Sequence, residues 1–103
     1  MTPVRLQDHE IAARLEALPG WARTGTDGMT ITRTYSFDHY LAGVAFAAAV
    51  GTVCEGIGHH PDLFIGWRRV TVSFTTHDAG NALTENDFQA AAAVAHLGYP
   101  VGG

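Results

Sequence analysis

The sequence predicts an α+β domain in the order α-β-β-α-β-β-α, a four-stranded, mainly antiparallel sheet with three helices packed on one face. Three observations predict it. A charge-free apolar run over residues 40–54 is flanked on both sides by segments of strand character. Residues 69–76 alternate, with Val70, Val72 and Phe74 on one face and Thr71, Ser73 and Thr75 on the other, as a half-buried strand requires. Residues 83–88 (Leu-Thr-Glu-Asn-Asp-Phe) read as the start of a closing helix, in which Thr84 caps, Asp87 reaches back and Leu83 packs on Phe88. At 103 residues the chain is one domain, residues 1–103. A chain of that length buries roughly 65% of its unfolded surface, enough for one modest core.

Each element has a local cause. Residues 7–17 form the first helix, with Ile11, Leu15 and Leu18 at helical spacing and Glu10 and Arg14 placed for an ion pair four residues apart. Leu6 and Ile11 make a hydrophobic staple around a cap at Gln7 or Asp8. Pro19-Gly20 ends this helix. Residues 21–23 are a short strand, the Gly- and Asp-rich residues 24–28 a hairpin turn, and residues 29–36 a second strand rich in Thr, Ile and Tyr. Ser36 or Asp38 caps the long helix, which runs to about Ile57. That helix is apolar on nearly every side and must be covered on both, by the sheet and by another subunit. Pro61 stops the helix and biases His60 to an extended backbone. Residues 62–67 are the third strand and 69–76 the fourth. Residues 78–82 are a loop, and the last helix runs to about His96 before Gly98 ends it.

Composition excludes several functions. Hydrophobic residues make up 47% and charged residues 16%, which excludes disorder. The net charge is -4 and all six basic residues are Arg, with no basic run, so direct nucleic-acid binding is not expected. The single cysteine, Cys54, excludes an internal disulfide and fits a reducing cytoplasm. Residues 1–10 lack the apolar core of a signal peptide. The apolar run is short for a membrane span, so a buried helix is expected and no membrane contact.

The chemistry is concentrated in residues 55–77. Glu55 is followed by His59-His60-Pro61, then Trp67, then His77. Imidazoles exchange protons near neutral pH. A strand that returns His77 to the His59-His60 pair therefore makes either a metal site or a proton-transfer site. Zinc could draw on the three His with Glu55 or Asp78. Adjacent residues of an extended segment project oppositely, however, so His59 and His60 rarely meet one ion. Acid–base chemistry needs only two imidazoles around an open pocket, one protonated and one not. Glu55, four residues before His59, is placed to fix its tautomer. Structural readings also exist: His59 as a helix C-cap, Asp87 as a capping residue, Trp67 as a rim aromatic. His9, His39 and His96 belong to no cluster.

The pattern Glu55-xxx-His59-His60-Pro61-x5-Trp67-x9-His77, followed by Asp87, closely resembles the signature of pterin-4a-carbinolamine dehydratases. The likeness spans most of the chain and includes Leu18-Pro19-Gly20-Trp21, Phe37, Thr76-His77-Asp78 and Leu83-Thr84. It implies dehydration of 4a-hydroxytetrahydropterin to quinonoid dihydropterin in tetrahydrobiopterin recycling, without metal or other cofactor. His59, His60 and His77 match the family's essential histidines and Asp87 its acidic residue. The resemblance makes Glu55, Trp67, Asp78 and Asp87 the expected substrate-binding set, and a homodimer or homotetramer the expected assembly, built by sheet-edge pairing and packing of the long helices. The loop between His77 and Asp87 is one residue longer than in many relatives. Relatives also include dimerisation cofactors of a homeodomain transcription factor and proteins linked to Rubisco assembly. The alternative reading is therefore a non-catalytic assembly or dimerisation protein on the same fold.

Overall fold

A computed structural model describes residues 3–98. The first helix, α1, spans Asp8–Glu16, and strands β1 (Ala22–Thr24) and β2 (Thr30–Ser36) follow as a hairpin. The long helix α2 (Tyr40–Ile57) leads to β3 (Asp62–Ile65) and β4 (Arg69–Phe74). A single 3-10 turn (His77–Ala79) then precedes α3 (Glu85–Ala95). The predicted order α-β-β-α-β-β-α is the observed one. The sheet order is β1-β2-β4-β3 and every pairing is antiparallel.

The alternation in β4 sets the layers. Val70, Val72 and Phe74 are buried, as are Ile31 and Tyr35 of β2, the cross-strand partners of Phe74 and Val70. Phe46, Ala47, Val50 and Cys54 of α2 cover them. Phe88, Ala91 and Val94 of α3 and Ile11 of α1 complete the same core. Each large aliphatic or aromatic side chain buried this way stabilises the fold by about 1.5–3 kcal/mol. The other face of the sheet carries hydroxyls in cross-strand register: Thr24 with Thr32 (2.7 Å), Thr32 with Ser73 (3.0 Å) and Thr34 with Thr71 (2.9 Å).

Local details differ from the sequence reading for identifiable reasons. Neither Ser36 nor Asp38 caps α2. His39 holds the cap position without a side-chain bond, because Phe37 is buried against Phe46 and its N–H donates to the Arg68 carbonyl at 2.9 Å. This keeps the chain extended up to residue 39. The Glu10–Arg14 ion pair does not form. Glu10 instead accepts the Gln7 N–H at 2.9 Å, while Arg14 pairs with Glu85 at the head of α3. The third strand ends at Ile65, where Gly66 turns the hairpin by donating its N–H to the Arg69 carbonyl at 2.8 Å.

Large apolar side chains are exposed on α2 and on β3. Leu41, Tyr40 and Ile57 of α2 are exposed. So are Leu63, Phe64 and Ile65 of β3, which is an edge strand of the sheet. Unpaired strand edges of this kind invite pairing with another chain.

Candidate active site

Three backbone reversals build the site. The first is the end of α2. Gly58 takes a left-handed conformation (φ 74°), and the His59 N–H donates to the Cys54 carbonyl at 3.2 Å. A Cβ on Gly58 would meet nothing within 4 Å, so the glycine serves backbone geometry rather than close packing. The chain turns back there, and His59 points inward, its ring stacked on Phe74 at 5.9 Å. His60, the next residue, is exposed.

The second is the end of β4. The chain leaves the sheet after Phe74, and Thr76 forms an isolated bridge with Ala82. Gly80 (φ 72°) and Asn81 (φ 59°), both left-handed, close the loop between. Asn is among the non-glycine residues that tolerate this conformation best. His77 opens the turn, its Nδ1 2.6 Å from Oδ1 of Asn81. An amide oxygen only accepts, so Nδ1 donates and Nε2 is the nitrogen of His77 not engaged by the described residues.

The third is the N-terminus of α3. The Thr84 hydroxyl accepts the Asn86 N–H at 3.2 Å, and Oδ2 of Asp87 accepts the Thr84 N–H at 2.8 Å, the reciprocal cap foreseen from sequence. Asp87 is 0% exposed. A buried carboxylate must be fully hydrogen-bonded. Oδ2 also accepts the Thr76 hydroxyl at 2.8 Å, and Oδ1 lies 2.7 Å from Nε2 of His59. The helix N-terminus adds favourable positive potential.

These reversals bring His59, His60 and His77 around one cavity of about 220 Å³, lined also by Pro3, Gly58, Thr75, Thr76, Asp78 and Asn86. It is smaller than the roughly 300–1,000 Å³ of drug-sized pockets and open to solvent, which suits a small, flat ligand. A larger depression along Arg5, Gln7, His9 and Met29 holds one imidazole, and the groove lined by Leu18, Phe88 and Ala92 holds none. Of these three cavities, the histidine cavity is the one that gathers more than one imidazole.

The other expected site residues fall in different places. Asp78 lines the cavity. Glu55 does not reach His59. It pairs with His60, Oε1 to Nε2 at 2.6 Å, because the left-handed turn at Gly58 swings His59 away from the helix face that Glu55 occupies. Asp87 is sealed behind His59 and cannot touch a ligand itself. Trp67 is not at the cavity. It sits in the β3–β4 turn, at the far end of an extended hairpin from His60, under the Arg68 guanidinium at 5.4 Å and 74% exposed. The sequence reading took Thr84 as the cap of α3 but placed neither Thr76 nor Thr84 in the candidate site. Thr76 carried a signal, being a polar side chain at the core parity of Val70, Val72 and Phe74. Among the described residues no three His, Cys, Asp or Glu side chains are grouped to hold a metal ion.

Comparison with known proteins gives a consistent family. The family model described as pterin 4 alpha carbinolamine dehydratase matches residues 4–97. A protein of Roseiflexus sp. (strain RS-1), provisionally named pterin-4-alpha-carbinolamine dehydratase, is 46% identical over 87 residues, covering 84% of this chain and 89% of the relative. One of the same provisional name from Natronomonas pharaonis is 49% identical over 87 residues, covering 84% and 88%. The crystal structure of a transcriptional coactivator/pterin dehydratase from Brucella melitensis superposes with a TM-score of 0.81 at 33% identity, covering 91% of this chain and 98% of that one.

Proposed function

The chain belongs to the pterin 4 alpha carbinolamine dehydratase family, and on that basis we propose that it removes water from a 4a-hydroxytetrahydropterin, with His59 and His77 moving the protons. The observation that carries this reading is the convergence of His59, His60 and His77 on one cavity. Dehydration of a carbinolamine breaks the C4a–O bond and forms the C4a=N5 bond. One proton must reach the departing hydroxyl and one must leave N5, so water and quinonoid dihydropterin are the products and no redox partner is needed. Each proton transfer by a positioned imidazole contributes roughly 100- to 10,000-fold. His59 and His77 present nitrogens not engaged by the described residues, Nδ1 and Nε2, from two elements that bound the cavity. His60, exposed and paired with Glu55, suits a role in holding the pterin ring and adjusting its protonation. Asp78 at the cavity wall is available to the polar edge of the ligand.

The setting follows the same reading. The lone, buried Cys54 supports a cytoplasmic protein that recycles tetrahydropterin. The exposed apolar residues of α2 and β3 support a homodimer or homotetramer. A second reading is a binding protein on the same fold. The name of the Brucella structure, which joins coactivator to dehydratase, and the uncovered apolar surfaces favour it. Stopped-flow absorbance with chemically generated 4a-hydroxytetrahydropterin separates the two. The dehydratase accelerates loss of the hydroxyl above the buffer rate, and a pure binding protein does not.

A further inference from the structure

We propose that Thr76 is a positioning residue for this chemistry, one that acts through Asp87 to make Nδ1 the nitrogen by which His59 exchanges its proton. The inference rests on the dehydratase reading for its kinetic consequence, but the arrangement itself is a matter of hydrogen-bond direction.

The directions follow from the donor inventory. A hydroxyl has one proton to give. The Thr76 hydroxyl, 3% exposed, gives its proton to Oδ2 of Asp87 at 2.8 Å. The contact between the Thr76 and Thr84 hydroxyls, also 2.8 Å, must then run from Thr84 to Thr76. The Thr84 oxygen is meanwhile an acceptor for the Asn86 N–H. Oδ2 takes a second donor, the Thr84 N–H. With Oδ2 fully engaged and its plane set by two fixed donors, Oδ1 is aimed at His59 and is an acceptor as well. Nε2 of His59 therefore carries a proton in both charge states of the ring. The site that gains and loses a proton is Nδ1, which has no hydrogen bond to the described residues, on a ring that lines the cavity. This holds whichever way the proton moves during the reaction.

Thr76 is the hinge of this chain of bonds. It is next to His77, it lines the cavity, and it joins the end of β4 to the start of α3, so one hydroxyl ties the two elements that carry Asp87 and His77. Valine has the same shape without the hydroxyl. Thr76→Val leaves the Thr84 hydroxyl without an acceptor and Asp87 free to rotate about a single remaining donor besides His59.

The test combines NMR with kinetics. In wild-type protein, ¹⁵N-edited spectra of the imidazoles should show neutral His59 protonated on Nε2, with that proton downfield and protected from exchange, and Nδ1 titrating. In Thr76→Val the Nε2 proton should lose its protection. kcat should fall about tenfold or more with KM within about twofold, since positioning of the proton-transfer group is lost and the cavity is not. Thr76→Ser should restore both the resonance and kcat. A wild-type His59 protonated on Nδ1 when neutral overturns the proposal, and this needs no variant to fold. A Thr76→Val protein that keeps both the protected proton and kcat overturns it as well. Wild-type protein with no dehydratase activity removes the proposed function, while its His59 spectrum still decides the bond directions.

Discussion

Nε2 of His59 lies 2.7 Å from Oδ1 of Asp87, a carboxylate fully shielded from solvent. The two residues are 28 positions apart in sequence. One ends the turn after α2 and the other sits in the first turn of α3. The capping box of α3 thus has two functions: it satisfies the helix N-terminus and it presents a fixed acceptor to an imidazole at the cavity.

Replacing this acceptor tests both functions. Asp87→Asn supplies an amide group that cannot accept from Thr84, Thr76 and His59 together. If its oxygen keeps the threonine donors, its NH₂ faces Nε2 and forces the His59 proton onto Nδ1. The expected result is a loss of kcat of about 100-fold or more, with a stability loss of about 1–3 kcal/mol from the weakened buried bonds. Stopped-flow kinetics and urea denaturation measure the two separately. A fall in stability with unchanged kcat would reduce Asp87 to a helix cap.

Alkaline pH should weaken the fold through two buried groups of the core. Burial pushes the Cys54 thiol above its ordinary value of 9.0. Burial also pushes the Tyr35 phenol above 10.0, opposed by the charge of Arg33, whose guanidinium lies 4.5 Å over the ring. Both groups hold their protons more tightly when folded. Their stabilising contribution is complete below the unfolded values and is lost as pH rises through the raised ones. Urea midpoints should therefore fall from about pH 9 upward, less steeply in Cys54→Ala. The native thiol should also resist alkylation at pH 8. Rapid labelling without unfolding would show that Cys54 is accessible.

The assembly can be probed from its two apolar surfaces. Leu41 is 72% exposed on α2 and Phe64 54% exposed on the β3 edge. Size-exclusion chromatography with light scattering should give a mass of two or four chains for the wild type. Leu41→Glu and Phe64→Glu should each lower that mass, by disrupting different contacts. A wild-type monomer at micromolar concentration would remove the oligomer proposal.

Chelation bears on the metal alternative. Nε2 of His59 and Nε2 of His60 each already face a carboxylate oxygen, at 2.7 and 2.6 Å. Prolonged dialysis against EDTA should leave the dehydration rate unchanged. A rate that falls on dialysis and returns with zinc would revive a metal site.

Much of the fold was legible because its causes are local. The alternation of Val70, Val72 and Phe74 gave β4 its buried face, and the Thr84–Asp87 pair marked the start of α3. The apolar pattern set the end of α2 near Ile57, although the residue that closes the helix is Gly58 and not Pro61 as the sequence reading has it. The partners of the histidines were not legible in the same way. Spacing suggested Glu55 for His59, but that holds only if the helix continues. A left-handed Gly58 reassigns Glu55 to His60 and hands His59 to a residue on another helix. Trp67 keeps a constant spacing from His60 yet lies at the wrong end of the hairpin, because an extended strand advances about 3.3 Å per residue. Arg14 found Glu85 for the same reason: tertiary packing of α1 beside α3 placed a carboxylate where sequence spacing could not.

The most direct test is a single-turnover comparison of wild type, His59→Ala and His77→Ala with 4a-hydroxytetrahydropterin, each checked for fold by circular dichroism. The account predicts acceleration by the wild type and loss of roughly 100- to 10,000-fold in each variant with the fold intact. Equal rates for wild type and either folded variant would contradict it.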